Sequence, residues 1–221
     1  MAVTVAPTGR TLVAFVFALV ATACVCVALV STVPWYSFKI LSLNATTETR
    51  HYVESNFPPD SSLCPLSFSP SSFHRHPQRP TEYRVFWDVV FLLNAGSVAG
   101  LGLALALLFF VLVFGRYGFQ SGCSNAAYVL TLVFALLGLF AAGATTVFYA
   151  LRHARCVPAC LDPPTAGLPF CHGFWAHDDL GNEGAPSFGW YLVAAGAVSA
   201  FVALANAIRA RPVRPFYSRI N

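Results

Sequence analysis

Charged residues are scarce in this chain, and four long segments contain none. Only 10% of the 221 residues are Asp, Glu, Lys or Arg, whereas 57% are hydrophobic. This composition leaves too little polar surface to cover the apolar side chains in water, which excludes an ordinary soluble domain. The lack of ionisable groups within the four segments also argues against proton relays and voltage sensors, because such sites depend on buried charge.

The uncharged segments are residues 11–33, 89–114, 126–151 and 188–208. Each is close to the roughly 20 residues that cross about 30 Å of hydrocarbon. Backbone amides must be paired within the chain in lipid, so each segment is predicted to span as a helix. The first segment exceeds the about 7 to 15 apolar residues of a cleaved leader, and we expect it to be retained. The predicted fold is an all-α membrane protein with a four-helix transmembrane bundle.

Charges divide sharply between the connecting segments. If both termini are cytosolic, segments 1–10, 115–125 and 209–221 hold six arginines and no acidic residue. All nine acidic residues and all six histidines then fall in the outer segments, 34–88 and 152–187. Positive charge in short loops marks the cytosolic side. The sequence therefore predicts cytosolic termini and two outer loops.

An N-glycosylation sequon lies in the first outer segment, at Asn44-Ala45-Thr46. Such a triplet is modified only on the lumenal side, which agrees with the predicted orientation. The alternative is a chance triplet, since Asn44 lies only about ten residues from the membrane, near the limit of the glycosylating enzyme's reach. We predict glycosylation at Asn44.

Four cysteines also lie in the outer segments. Cys64 is in the first, and Cys156, Cys160 and Cys171 are in the second. An even number in an oxidising compartment favours two disulfides. Because Cys64 is alone in its segment, full pairing requires one bridge between the two loops, which predicts a disulfide-clamped extracellular cap. The alternative is that one or more of these thiols stays free.

The first outer segment begins with an alternating pattern. Residues 35–43 place Tyr36, Phe38 and Ile40 on one side of a predicted strand, so the cap is expected to contain β-structure. Alternatively, Trp35 and Tyr36 anchor the first helix at the membrane interface. Residues 58–80 are dense in Pro and Ser, and irregular structure is expected there.

Polar groups within the predicted spans are few. Asn94 is among the strongest, and it is expected to form hydrogen bonds between helices that are worth about 1 kcal/mol. Gly96 and Gly100 have GxxxG spacing, and Gly138 with Ala142 has the related small-xxx-small spacing. These residues predict close helix packing, either within one bundle or between copies.

The last segment, 209–221, carries net positive charge from Arg209, Arg211, Arg214 and Arg219. Each such residue is attracted to anionic inner-leaflet lipids by about 1 kcal/mol. Tyr217-Ser218-Arg219-Ile220 is similar to Tyr-x-x-apolar sorting signals, so Tyr217 and Ile220 point to an endolysosomal membrane. The plasma membrane is the alternative location.

Catalytic signatures are absent from the sequence. No histidine pair has the His-Glu-x-x-His spacing of a zinc site, and no nucleophile elbow or Gly-rich turn is present. The histidines are expected to be exposed loop residues, with acid sensing as the alternative. They are His51, His74, His76, His153, His172 and His177. No catalytic, metal-ligating or cofactor-binding residue is assigned.

With four spans, a larger first outer loop that opens on Trp35 and no charge within the membrane, the chain resembles the claudin-like tetraspan group, which includes the peripheral myelin protein. In claudins the first loop carries a Trp, then Gly-Leu-Trp and two cysteines. Trp35 and Arg84 stand in like places, whereas Gly-Leu-Trp is absent and Cys64 is single. The resemblance implies a helical bundle with an extracellular cap that organises membranes laterally.

The leading hypothesis is a non-enzymatic protein that organises the bilayer, other membrane proteins or copies of itself, with no nucleic-acid partner. The alternative is a subunit of an oligomeric large-pore channel, which resembles the connexin-like families in its four spans and cysteine-bearing loops. A pore-lining helix should carry a polar stripe, and only Asn94 and Ser97 suggest one. Assembly separates the two hypotheses, because a pore needs a closed ring with a fixed number of subunits.

Overall fold

Four long apolar helices dominate the computed structural model. It describes residues 9–30, 33–44, 47–56, 81–114, 121–153, 169–177 and 183–210. All four helices are long and apolar enough to cross a membrane, which confirms the four-span layout and indicates a multi-pass membrane protein.

The described helices are α1 Gly9–Ala28, α2 Thr81–Phe114, α3 Ser121–Arg152, the one-turn α4 Pro169–His172, and α5 Phe188–Arg209. Helix α1 ends earlier than the predicted residue 33 and is followed by short turns that reach Val33. Pro34 disfavours helical geometry at Val33, which keeps the helix from continuing into β1. Helix α2 begins at Thr81 rather than at residue 89.

A four-stranded antiparallel sheet joins the two predicted outer segments. Its strands are β1 Pro34–Asn44, β2 Thr47–Asn56, β3 Ala176–His177 and β4 Glu183–Pro186, in the order β2-β1-β4-β3. Strand β1 confirms the strand predicted over residues 35–43. It pairs with β4 from Tyr36↔Pro186 to Lys39↔Glu183, so backbone hydrogen bonds connect the two segments.

Buried positions along the long helices recur at alternating intervals of three and four residues. In α1 they are Thr11, Ala14, Ala18, Ala21, Val25 and Ala28. In α5 they are Gly189, Val193, Gly196, Ala200, Ala203 and Ala207. The same spacing occurs in α2 at Trp87, Val90, Asn94, Ser97, Leu101, Ala104 and Leu108, and in α3 from Thr131 to Tyr149. This is the a/d spacing of knobs-into-holes packing, common among transmembrane helices.

The chain divides into two compact units. The first, Met1–Ala23, Gly96–Ala141 and Gly196–Asn221, is called the small-residue unit here. The second, Cys24–Ala95 and Ala142–Ala195, is called the aromatic unit. The small-residue unit contains six arginines and no acidic residue, and all nine acidic residues belong to the aromatic unit. Each of the four long helices contributes residues to both units.

Candidate functional site

The core of the small-residue unit is built mainly from alanine. It contains Ala14 and Ala18 of α1, Leu108 of α2, and Ala203 and Ala207 of α5, all at most 5% exposed. Side chains this short let helix backbones approach closely, and close packing drives helix association in lipid. The helix faces in this unit are thus packed mainly through short side chains, with Phe15, Leu105 and Leu132 against the edge of the cluster.

One close contact in this unit joins α2 to α3. A Cβ placed on Gly100 would lie 2.9 Å from the Cα of Gly138, and one placed on Gly138 would lie 2.8 Å from the backbone nitrogen of Leu101. Ser97 donates a hydrogen bond of 3.1 Å from its Oγ to the Gly138 carbonyl oxygen. Gly96 differs, because an added Cβ there meets nothing within 4 Å. The two glycines of the GxxxG spacing therefore have different surroundings.

Most hydroxyl and amide groups within the helices bond to carbonyls of their own helix. Thr131 donates to Ala127, and Asn206 donates to Val202 instead of to a neighbouring helix, both at 2.8 Å. Tyr128 Oη does cross from α3 to α5, where it donates to the Ala207 carbonyl at 2.8 Å.

Asn94 is the exception among these polar groups. Its side chain is 0% exposed, yet neither Nδ2 nor Oδ1 has a hydrogen-bond partner within the described part of the chain. A buried amide without partners costs roughly 1–3 kcal/mol. The hydrogen bonds between helices predicted for Asn94 are therefore not seen.

Trp35 is the centre of the aromatic unit. Its indole is 0% exposed, and its Nε1 donates a hydrogen bond of 2.9 Å to the Ala28 carbonyl oxygen in the last turn of α1. That carbonyl has no partner within its own helix, so the indole satisfies it. The ring centroid lies 5.2 Å from that of Tyr149 and 6.2 Å from that of Trp87.

Helix α5 fits against this indole because residue 189 is glycine. A Cβ on Gly189 would lie 2.6 Å from the Cδ1 atom of Trp35. Next to it, the Ser187 nitrogen donates to the Trp35 carbonyl oxygen at 2.9 Å, and the Ser187 carbonyl accepts from Trp190 in the first turn of α5. Trp35 thereby links the end of α1, strand β1 and the beginning of α5.

Tyr36 extends the same cluster. It is 0% exposed, its ring stacks on Phe174 at 5.9 Å, and its Oη donates to the Phe174 carbonyl oxygen at 3.2 Å. The alternative interpretation of Trp35 and Tyr36 as interfacial anchors does not describe them, since both are fully buried. Trp175 and Tyr191 are exposed, as interfacial aromatic side chains would be.

The described histidines differ from one another. His153 is 6% exposed, and its ring lies 5.5 Å from Tyr36 and 5.4 Å from Phe174, so it is a buried member of the cluster. His172 is exposed. His177 is also exposed, with its Nδ1 3.9 Å from Glu183 Oε1 across β3 and β4. The side chains of His51, His74 and His76 lie outside the described residues.

Metal-ligand geometry is not found in the described ranges, where no three His, Cys, Asp or Glu side chains lie close enough to hold an ion. Cys171 is disulfide-bonded, and Cys24 and Cys26 in α1 are free. Cys64, Cys156 and Cys160 lie outside the described residues, so the bridge between the loops stays a prediction.

The remaining predicted site residues lie at the ends of elements or beyond them. Asn44 is the last residue of β1 and is paired with Thr47 of β2. Arg209 is exposed at the end of α5. Arg211, Arg214, Arg219, Tyr217 and Ile220 lie outside the described residues.

Sequence reasoning did not identify the residues that pack around Trp35 and Tyr36, which include Trp87, Tyr149, Phe174 and Gly189. One signal was available for Gly189. It continues the run of small residues spaced by three and four along α5, which marks a buried face even where every residue is apolar. No local pattern identifies the ring partners, because they come from three separate segments.

No family model matches this chain, and neither does any curated protein or any solved structure. The claudin-like resemblance is therefore supported at the level of the four-span layout alone.

Proposed function

We propose that this chain is a non-enzymatic membrane protein that organises partner proteins, or further copies of itself, laterally through the lipid-facing sides of its helices. The observation that carries the proposal is the burial of Asn94 and Ser97, which are both 0% exposed. A channel formed between protomers needs polar side chains on the outside of each protomer. The two residues that suggested a pore-lining stripe are instead enclosed within one chain.

The outward sides of the helices fit lateral contacts. Leu92, Leu103 and Phe109 of α2 are 66%, 48% and 55% exposed, and Gly96 lies on this exposed side with open space around it. Association in lipid depends on close packing of helices, and a glycine on an outer face admits a neighbouring backbone. Helix α2 is therefore the proposed contact helix.

The sheet and its flanking loops form the extracellular cap in this proposal. Backbone pairing of β1 with β4 is reinforced by disulfides among Cys64, Cys156, Cys160 and Cys171, and Asn44 at the end of β1 carries a glycan. On the cytosolic side, Arg209, Arg211, Arg214 and Arg219 attract anionic lipids. Tyr217 and Ile220 direct the protein to an endolysosomal membrane.

The native mass of the full chain in lipid nanodiscs, measured with and without reductant, tests the proposal. A monomer or dimer is expected, and a closed ring of six or more subunits would support the channel instead.

Proximity labelling in cells then compares the native chain with Gly96→Leu. Gly143→Leu is the matched control, because a Cβ added at Gly143 also meets nothing within 4 Å. Loss of labelled partners in Gly96→Leu alone is expected, whereas identical labelling in all three chains would reject α2 as the contact helix.

A further inference from the structure

Two arginines meet where α1 begins and α5 ends, within the small-residue unit. Arg10 Nη1 lies 3.5 Å from the carbonyl oxygen of Arg209, and both residues are exposed. This contact uses one of the five N–H donors of Arg10. The unit contains no Asp or Glu, so no acidic side chain within it neutralises this pair.

An apolar cavity of about 290 Å³ adjoins one of these arginines. Phe201, Leu204, Ala205 and Ile208 line it together with Arg209, and all five belong to α5. Helix α5 is long and apolar enough to span a membrane, so a groove along it is a candidate surface for contact with lipid. The lining is hydrocarbon, and Arg209 borders one end of it and carries its guanidinium group beyond the stem of the side chain. This combination complements an anionic phospholipid.

We propose that Arg10, Arg209 and this cavity form a discrete site for one anionic phospholipid. The phosphate lies between the two guanidinium groups, which are suited to phosphate because their N–H donors are arranged as a fork. One acyl chain lies against Phe201 and Ile208. This site makes the lipid attraction in the proposed function specific to one lipid. It rests on the proposed function for its location in a membrane and does not depend on lateral association.

Two other interpretations of Arg10 and the basic segment predict different lipid-binding results. If Arg10 serves only to cap the carbonyl end of α5, the site has no preference among lipids. If the basic segment attracts anionic lipid only diffusely, binding depends on total charge and is insensitive to the shape of the cavity. A substitution that fills the cavity without changing the charge therefore separates a discrete site from diffuse attraction.

The test uses the full chain in neutral detergent, titrated with phosphatidylserine that carries a fluorophore on one acyl chain. Phosphatidylcholine with the same label is the neutral comparison, and inorganic phosphate is the competitor. The variants are Arg10→Gln, Arg209→Gln and Ala205→Phe, which fills the cavity. Arg152→Gln is the matched control, because Arg152 is an exposed arginine at the end of α3 in the other unit. Arg10→Lys tests rescue by charge alone.

The native chain is expected to saturate at one phosphatidylserine and to prefer it to phosphatidylcholine. Each Arg→Gln change should weaken binding about fivefold, the ratio that corresponds to about 1 kcal/mol per cation. Ala205→Phe should also weaken binding, and Arg152→Gln should not. Circular dichroism and gel filtration establish that each variant is folded. Arg10→Lys keeps the charge and loses the forked donors, so it should bind phosphatidylserine more tightly than Arg10→Gln and more weakly than the native chain.

Equal affinity of the native chain for the two lipids would overturn the proposal. So would unchanged binding by Ala205→Phe, or full displacement by millimolar inorganic phosphate, which would identify a phosphate site with no role for the acyl chain. Lateral association is scored separately by native mass and proximity labelling, so failure of this site would leave the organising function unaffected.

Discussion

The two units bury the same four helices by opposite means. In the small-residue unit the helices meet through Ala and Gly, with Gly100 directly on the Gly138 backbone. In the aromatic unit a set of rings packs around Trp35, whose indole donates a hydrogen bond to the Ala28 carbonyl oxygen at the end of α1. At the α2–α3 contact the packing therefore excludes an added Cβ, whereas around Trp35 it depends on a large side chain that must be kept.

The largest effect on stability is expected from Trp35→Ala. Loss of a fully buried indole should lower the free energy of unfolding by about 3–5 kcal/mol, since the ring is surrounded by Tyr149, Trp87 and Gly189. Thermal unfolding in detergent, followed by circular dichroism, measures the effect. Trp35→Phe keeps an aromatic ring and loses the bond to Ala28, so its loss should be clearly smaller; equal losses would mean that the hydrogen bond dominates.

The converse test adds atoms to the small-residue unit. Gly100→Ala should destabilise the protein by about 1–3 kcal/mol, because the new Cβ would lie 2.9 Å from the Gly138 Cα. Gly96→Ala is the matched control four residues away on the same helix. It has open space, and its better helix propensity should raise stability by up to about 1 kcal/mol. Changes of the same sign in the two variants would contradict the assigned difference between the glycines.

A third test concerns the buried amide of α2. Asn94→Leu keeps a similar volume and removes two polar atoms that lack partners, so stability should rise by about 1 kcal/mol. Urea or heat titrations of the reconstituted chain measure the change. A loss of stability would instead indicate that Asn94 has a polar partner within the membrane.

The smallest effect is expected at the edge of the sheet. His177 and Glu183 are separated by 3.9 Å, and their side chains are 69% and 54% exposed. Glu183→Gln should therefore change stability by less than about 0.5 kcal/mol, and added salt should remove that difference. A larger, salt-resistant loss would show that the β3–β4 pair contributes more to the aromatic unit than its exposure suggests.

The elements that could be predicted are those marked by a signal within one segment. The four spans follow from length and lack of charge, and β1 follows from alternation after Trp35. Strand β4 could not be predicted, because Gly184 and Pro186 are residues that strands usually exclude. The distinction between a buried and an interfacial Trp35 depends on Gly189, which lies in a distant segment.

Asn94 illustrates another limit of sequence reasoning. An asparagine in an apolar segment signals polarity, but the pattern of one helix does not reveal whether a neighbour supplies a partner. The buried faces are easier to predict from the sequence, since small residues repeat along α1 and α5 at intervals of three and four. In a uniformly apolar helix, small side chains that recur with the helical period mark the buried face. In a helix of a soluble protein, apolar side chains with the same period mark it.

Pairing between β1 and β4 also has a consequence for biosynthesis. Ser37 and Ala185 are 148 residues apart, so the ribosome completes β4 roughly seven to thirty seconds after β1 at a rate of about 5–20 residues per second. Throughout that interval the inner edge of β1 is unpaired and Trp35 has no Gly189 to receive it. A nascent chain thus exposes an unpaired strand edge and an uncovered indole until its last helix has been synthesised.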